Sequence, residues 1–276
     1  MKRRKFVKKS IGGATGLAIG TAALGWSGCT ADNANKKVIL GLIGAGSRGR
    51  SVAIGTCIHN ALVELKTVCD VNDFKAGQTI DRVETELGYR PAHEKDMRRV
   101  FDDRDIDAVI IATPEHWHAL AAIRACQAGK DVYVEKNPSN NLWEGRKMAE
   151  AAQKYGRIVQ VGFQNRSAEY GRSALEYIRS GKLGQVVHVK SLNLLGGGKW
   201  MPQPNTEVPD GLDWDAWLGP APFRPYNPGI HNMRNRGGWN DFWDYSGGCL
   251  SDDASHVLDL ARRVLGDPGH PKSVYC

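Results

Sequence analysis

The chain has 276 residues, 41% of them hydrophobic and 24% charged, enough apolar material for one large domain or two modest ones with a sizeable core. Its formal charge is +7, but Lys2, Arg3, Arg4, Lys5, Lys8 and Lys9 crowd the first nine residues and leave the remainder at +1. That distribution excludes a nucleic-acid footprint, which requires basic residues clustered on the folded body.

The first segment reads as an address. MKRRKFVKKSIGGATGLAIGTAALGWSGC joins a basic start to a weakly apolar, Gly/Ala-rich stretch from Ile11 to Leu24, the layout of a secretory signal. Arg3-Arg4-Lys5-Phe6-Val7-Lys8 resembles a twin-arginine export signal. Residues 1–35 are therefore expected to be signal peptide and linker, the export machinery a partner, and the protein periplasmic or envelope-associated. The apolar stretch is too short and too rich in glycine for a stable membrane span. Trp26-Ser27-Gly28-Cys29 is an imperfect lipoprotein box, which leaves a lipid anchor at Cys29 open. Cys57, Cys69, Cys126, Cys249 and Cys276 show neither C-x-x-C spacing nor a compact disulfide framework; most read as buried thiols.

Residues 36–162 alternate strand and helix patterns. The β-type run Val38–Ile43 leads into GLIGAGSRGRSV, and a helix is expected over Ser51–Ile58. A second strand, Val63–Val68, ends in Cys69-Asp70, which places an acid 21 residues past Gly49. Strand, glycine loop, helix and a later acid form a dinucleotide-binding fingerprint. Gly44 serves the tight turn, Gly46 the approach of backbone to a pyrophosphate, Gly49 the helix-strand packing, and Asp70 accepts from a ribose diol. Asp70 would repel a 2′-phosphate and no arginine follows it directly, so NAD is expected rather than NADP.

Further strands are expected at Asp107–Thr113, Asp131–Glu135 and Ile158–Val161, and helices at Trp117–Ala128 and Leu142–Lys154. Such alternation predicts a doubly wound parallel sheet with ligands at the strands' carboxyl ends. Thr113, Pro114, His116, His118, Glu135, Lys136 and Gln164 lie at those ends. With Gly44, Gly46, Ser47, Arg48, Gly49 and Asp70 they make up the expected cofactor site. His116 and His118 lack an obvious third ligand for a metal and are expected to face the nicotinamide or substrate, with no metal site. Trp200, Trp214, Trp217, Trp239 and Trp243 either stack on sugar faces or, for the most part, anchor a long loop.

GLIGAGSRG, IATPEHWHA, VYVEKNP and GGCLSDDASHVLD, in this order and spacing, resemble the Gfo/Idh/MocA oxidoreductases from about Lys37 to the last residue. The resemblance implies a nicotinamide-dependent dehydrogenase acting on a sugar, cyclitol or related polyol. Family members use the lysine of an E-K-P motif and an Asp-x-x-x-His pair; here these positions are Lys136, Asp252 and His256. Asp252 and His256, four apart, are expected on one helix face, with His256 as general base, Asp252 orienting it and Lys136 stabilising developing negative charge. Asn137 stands where the family carries proline. Asp253 replaces an aromatic, and an extra carboxylate near His256 would raise its pKa.

The second domain, 163–276, is expected to open with a helix over Ala168–Arg179 and a strand over Gln185–Leu195. It continues with a helix around Leu250–Leu265 and the start of a strand at Lys272–Tyr275. Relatives complete a large, mostly antiparallel sheet, so an incomplete α+β domain and a C-terminally truncated product are expected, with homo-oligomers through that sheet if it is complete. Two other readings stay open: a glycosidase or lyase that oxidises its sugar transiently with bound NAD, and a nucleotide-binding remnant without turnover.

Overall fold

The computed structural model describes residues 36–192, 202–232, 238–252 and 254–275. The expected signal peptide with Cys29, and with it Trp200, Asp253 and Cys276, lies outside the described residues.

The apolar run ahead of the glycine loop is strand β1 (Val38–Ile43), whose burial deepens from exposed Val38 to buried Ile43. Helix α1 (Ser47–His59) begins earlier than the expected Ser51, because the loop itself supplies the first turn: Arg50 N–H already donates to the Gly46 carbonyl at 2.9 Å. There follow β2 (Val63–Cys69), α2 (Asp73–Leu87), β3 (Ala92–Glu94), α3 (Met97–Asp102), β4 (Ala108–Ile111), α4 (Glu115–Gln127), β5 (Asp131–Glu135), α5 (Leu142–Tyr155) and β6 (Val159–Gly162). Asn72, Asp96 and Asn141 cap α2, α3 and α5 with side-chain oxygens, each satisfying an N–H that has no partner within the helix. Gly88 and Gly156 end α2 and α5 in the left-handed conformation.

All six strands are parallel, in the order β3-β2-β1-β4-β5-β6. The order reverses between β1 and β4, which opens a crevice at their carboxyl ends. One face of the sheet packs Ile43, Val100, Ile111, Ala122, Val134 and Met148 beneath α3, α4 and α5. The other packs Leu42, Ala53, Ile54, Val68, Ile80 and Val83 beneath α1 and α2. The doubly wound half is thus as expected. Cys57, Cys69 and Cys126 are buried free thiols, and burial raises the pKa of each.

After β6 come a short 3-10 turn (Gln164–Arg166) and α6 (Glu169–Arg179), then α7 (Trp214–Leu218), α8 (Pro228–His231), a 3-10 turn at Trp239–Asp241, α9 (Gly248–Asp252) and α10 (Ala254–Val264). The expected strands do not form: residues 185–192 and 272–275 carry no strand, and residues 193–195 lie outside the described residues. A strand needs a neighbour for its backbone groups, and among the described residues neither segment has one. A third core of Leu212, Trp214, Trp217, Tyr226, Ile230 and Tyr245 holds the region between α7 and α9 together. Each such aromatic takes roughly 150–250 Å² out of water, about 4–6 kcal/mol of transfer free energy before entropic losses. Trp214 and Trp217 stack at 4.5 Å, so these two tryptophans anchor the loop, whereas Trp243 is exposed. This core is fastened to the sheet by Asp213 N–H on the Val71 carbonyl at 2.9 Å and His116 N–H on the Tyr245 carbonyl at 3.2 Å.

Two predictions follow from this packing. Gly44 has φ +91°, and a Cβ there would stand 2.6 Å from Ala112 backbone, whereas a Cβ on Gly46 would meet nothing within 4 Å. In urea melts Gly44→Ala is expected to cost about 2–4 kcal/mol, and Gly46→Ala less than about 1 kcal/mol. Equal losses would refute the close approach at Gly44. Second, burial in the aromatic core pushes His116 and His231 down to about 4. Between pH 6.5 and 4 the unfolded chain binds protons that the folded chain does not, so stability is complete above pH 6.5 and is lost as pH falls. The loss is about 1.4 kcal/mol per pH unit for each ring. Unfolding free energies from urea melts at pH 7 and pH 5 should differ by several kcal/mol, and His116→Gln should halve the slope; a flat profile contradicts the burial.

Candidate active site

A cavity of about 420 Å³ lies where the glycine loop meets the ends of β1, β2 and β4. Of the residues expected there from sequence, Gly44, Gly46, Ser47, Arg48, Asp70, Thr113 and Pro114 line it. Gly49 sits behind them: a Cβ on it would stand 2.0 Å from the Gly44 carbonyl oxygen and 3.2 Å from Ala112 Cβ. No side chain caps α1 at Gly46, which leaves the first-turn N–H groups and the positive end of the helix for an anion.

Asp70 is held in place before any ligand arrives. One carboxylate oxygen accepts from Ala45 N–H at 2.7 Å and the other from Asn72 N–H at 2.9 Å. Burial raises its pKa, and these two hydrogen bonds oppose the rise. A carboxylate accepts about four hydrogen bonds, so a diol can still be received. Lys75 and Lys95 also line the cavity, with Lys95 Nζ 2.8 Å from Asp73. Neither lysine is legible in the fingerprint, because one comes from the first turn of α2 and the other from the connection after β3.

Glu135, expected at the cofactor, is not among the residues that line the cavity. It is buried and does not reach the cavity; its Oε1 accepts from Arg48 Nε at 2.9 Å and from the Tyr133 hydroxyl at 3.0 Å. It therefore orients the guanidinium that does line the cavity, and Arg48 compensates a carboxylate that would be costly alone. His116 and His118, also expected there, are buried and likewise absent from the lining. Helix α4 begins at Glu115 rather than Trp117, which turns both rings inward. His116 Nε2 lies 3.2 Å from the Trp217 carbonyl. His118 Nδ1 lies 2.5 Å from the Asn137 carbonyl and its Nε2 2.8 Å from that of Thr113. Burial pushes the His118 pKa down. Gln164 falls beyond edge strand β6 and takes no part in the lining.

Lys136, at the end of β5, reaches Asp252 at the end of α9. Its Nζ donates to the Asp252 carboxylate and lies 3.3 Å from the Asp252 carbonyl oxygen. Asn240 Nδ2 donates to the second carboxylate oxygen at 3.0 Å, and the Ser255 hydroxyl to the Asp252 carbonyl at 2.9 Å. Asp252 is helical, in α9, and His256 is helical, in α10; residue 253 between these two segments lies outside the described residues. The His256 ring stands edge-on to Phe163 at 6.2 Å. Asn240 had no signal in the sequence, since its neighbours are assembled only in space. The preceding residue, Trp239, lines the cavity, so one short turn joins the two halves of the site.

The Lys136–Asn137 peptide bond is cis. The Asn137 side chain is buried, and its Nδ2 donates to Glu115 Oε1 at 3.1 Å and to the Ser251 hydroxyl at 2.9 Å. Glu115 is 1% exposed, and its other oxygen faces Gly247 N–H at 3.4 Å. The residue that replaces proline thus ties the start of α4 to α9, beside the Lys136–Asp252 pair.

The residues present fit a dinucleotide. Gly44 and Gly49 have no room for a Cβ, Gly46 leaves the loop open, and the buried Thr113 hydroxyl oxygen facing the cavity has no hydrogen-bond partner among the described residues. Comparison with known proteins agrees. Residues 38–163 match the oxidoreductase family model described as an NAD-binding Rossmann fold, and residues 192–275 match that family's C-terminal alpha/beta domain. A levoglucosan dehydrogenase from Pseudarthrobacter phenanthrenivorans is 27% identical over 235 residues, 83% of this chain and 51% of the relative. A glycosyl hydrolase family 109 protein from Shewanella baltica is 30% identical over 210 residues, 67% of this chain and 44% of the relative. The crystal structure of myo-inositol 2-dehydrogenase from Lactobacillus plantarum matches with a TM-score of 0.50 at 25% identity, over 55% of this chain and 44% of that one. The chain spans about half the length of the curated relatives it matches. With a glycine-loop crevice in a parallel sheet and both halves matching models of one family, the chain belongs to the Gfo/Idh/MocA oxidoreductases and carries their NAD-binding Rossmann domain.

Proposed function

We propose that this protein is an NAD-dependent oxidoreductase that oxidises a hydroxyl of a sugar, cyclitol or related polyol. The observation that carries the reading is the Lys136–Asp252 pair, joined to the dinucleotide cavity through Trp239 and Asn240. Gly44, Gly46, Ser47, Arg48, Asp70 and Thr113 hold the dinucleotide, which when bound supplies the hydride acceptor. Lys136 hydrogen-bonds the reacting hydroxyl oxygen and stabilises the negative charge that develops as its proton leaves. Asp252 keeps Lys136 charged and aimed, with Asn240 fixing the carboxylate from behind. His256 takes the proton.

The Shewanella relative named as a glycosyl hydrolase supports a second reading, in which the same oxidation is transient and a glycosidic bond is cleaved before the hydride returns. Levoglucosan, inositols and aryl glycosides with NAD separate the two: net NAD reduction marks the dehydrogenase, and release of the aglycone without net reduction marks the hydrolase. Lys136→Met and His256→Ala are each expected to lower turnover by about two orders of magnitude or more, with the Kd for NAD within about twofold of wild type. Full turnover in Lys136→Met would refute the assigned site.

For the N-terminus we propose a twin-arginine signal over residues 1–35, a dinucleotide domain over 36–162, a substrate domain over 163–276, and a periplasmic or envelope location. The support is the Arg3-Arg4-Lys5-Phe6-Val7-Lys8 run ahead of a weakly apolar stretch. Replacing Arg3 and Arg4 together by lysine should retain the protein in the cytoplasm. Recovery of the double variant outside the inner membrane on fractionation would point to another route.

A further inference from the structure

We propose that His231 is a dinucleotide-binding residue whose Nε2 donates a hydrogen bond to a phosphate or ribose oxygen of bound NAD. The proposal rests on the reading of the cavity as the dinucleotide site. His231 closes α8, far along the chain from the glycine loop, yet it lines the same cavity as Gly44, Gly46 and Asp70. It is 6% exposed and its Nε2 has no hydrogen-bond partner among the described residues.

The ring cannot turn freely to find a partner elsewhere. Trp214 and Trp217 stand edge-on to it at 6.1 and 5.8 Å, and Tyr226 lies 5.6 Å away. The Tyr226 hydroxyl is 3.4 Å from Nδ1. With the Tyr226 proton pointed at Nδ1, the imidazole proton stands on Nε2, which is the tautomer the proposal requires. Burial foremost, and then the charge of Lys75, push the ring pKa down to about 4, so the donor is neutral at pH 7. A neutral N–H beside a lysine suits an oxygen acceptor. A buried donor without an acceptor is destabilising, and the phosphates and ribose hydroxyls of a dinucleotide supply acceptors. Thr113 lines the same cavity, and its hydroxyl has no hydrogen-bond partner among the described residues.

The test is a calorimetric NAD titration of the whole chain as wild type, His231→Phe and Tyr226→Phe, with thermal melts of each without NAD. His231→Phe is expected to bind NAD about tenfold more weakly, a difference of about 1.4 kcal/mol, while its melting point without NAD is unchanged or higher, because an unpaired donor has been removed. Tyr226→Phe should weaken binding about threefold by releasing the tautomer. Imidazole nitrogen shifts in wild type should report a proton on Nε2. A Kd for His231→Phe within twofold of wild type, or a proton on Nδ1, overturns this inference alone. A wild-type chain that binds no NAD overturns the reading of the cavity with it. If His231→Phe does not fold, Tyr226→Phe and the nitrogen shifts decide.

Discussion

The structure depends on how closely the N-terminus of α1 approaches the ends of β1 and β4. Only a residue without a Cβ fits at Gly49, against the Gly44 carbonyl, and only glycine takes the positive φ of Gly44 beside Ala112 backbone. That approach sets the helix end over the crevice and presents its uncapped N–H groups there. It also brings Ala45 N–H to the Asp70 carboxylate at 2.7 Å, so the acid at the end of β2 and the glycine loop are positioned by each other. A cavity with a positive end and a fixed carboxylate is the physical outcome.

The second constraint is aromatic burial. The cluster around Trp214, Trp217, Tyr226 and Tyr245 is not part of the sheet's own two cores, yet it is tied to β2 and α4 by backbone hydrogen bonds at Val71 and His116. Because it is docked there, residues from far along the chain line the crevice: Trp217, His231, Asn232 and Trp239. The same docking brings Asn240 and Asp252 within reach of Lys136. The burial that neutralises His116 and His231 is thus the cost of building the far side of the cavity from indoles and phenols.

Asn137 stands where the resemblance to the family implies proline, and its amide has buried partners. A proline there would offer no side-chain donor. The amide instead links Glu115 and Ser251, two residues on separate helices, and gives a buried carboxylate one of its partners. A buried polar network of this kind is stable only when its members are satisfied, so the substitution belongs with Glu115 and Ser251 rather than with Lys136 alone.

Much of the first half was legible from residue order. β1, β2, β5 and the intervening helices follow from apolar runs and their punctuation, and Gly44, Gly46, Gly49 and Asp70 from spacing, because a strand-turn-helix is a local object whose geometry is set by neighbours in sequence. What residue order left open depends on contacts between distant segments. The expected strand over 185–192 does not form, since a strand needs a partner and residue order names none. With α4 starting at Glu115, His116 and His118 are buried rings beside backbone carbonyls, a placement that spacing alone does not reveal. Glu135 became the anchor of Arg48, and Asn240 and His231 had no local pattern at all. The sequence by itself determined the glycine loop and the acid that follows it, because both are set by local spacing. Tertiary structure decided which side chains share one cavity, because hydrogen bonds at about 3 Å join residues more than a hundred positions apart only once the aromatic core has been buried.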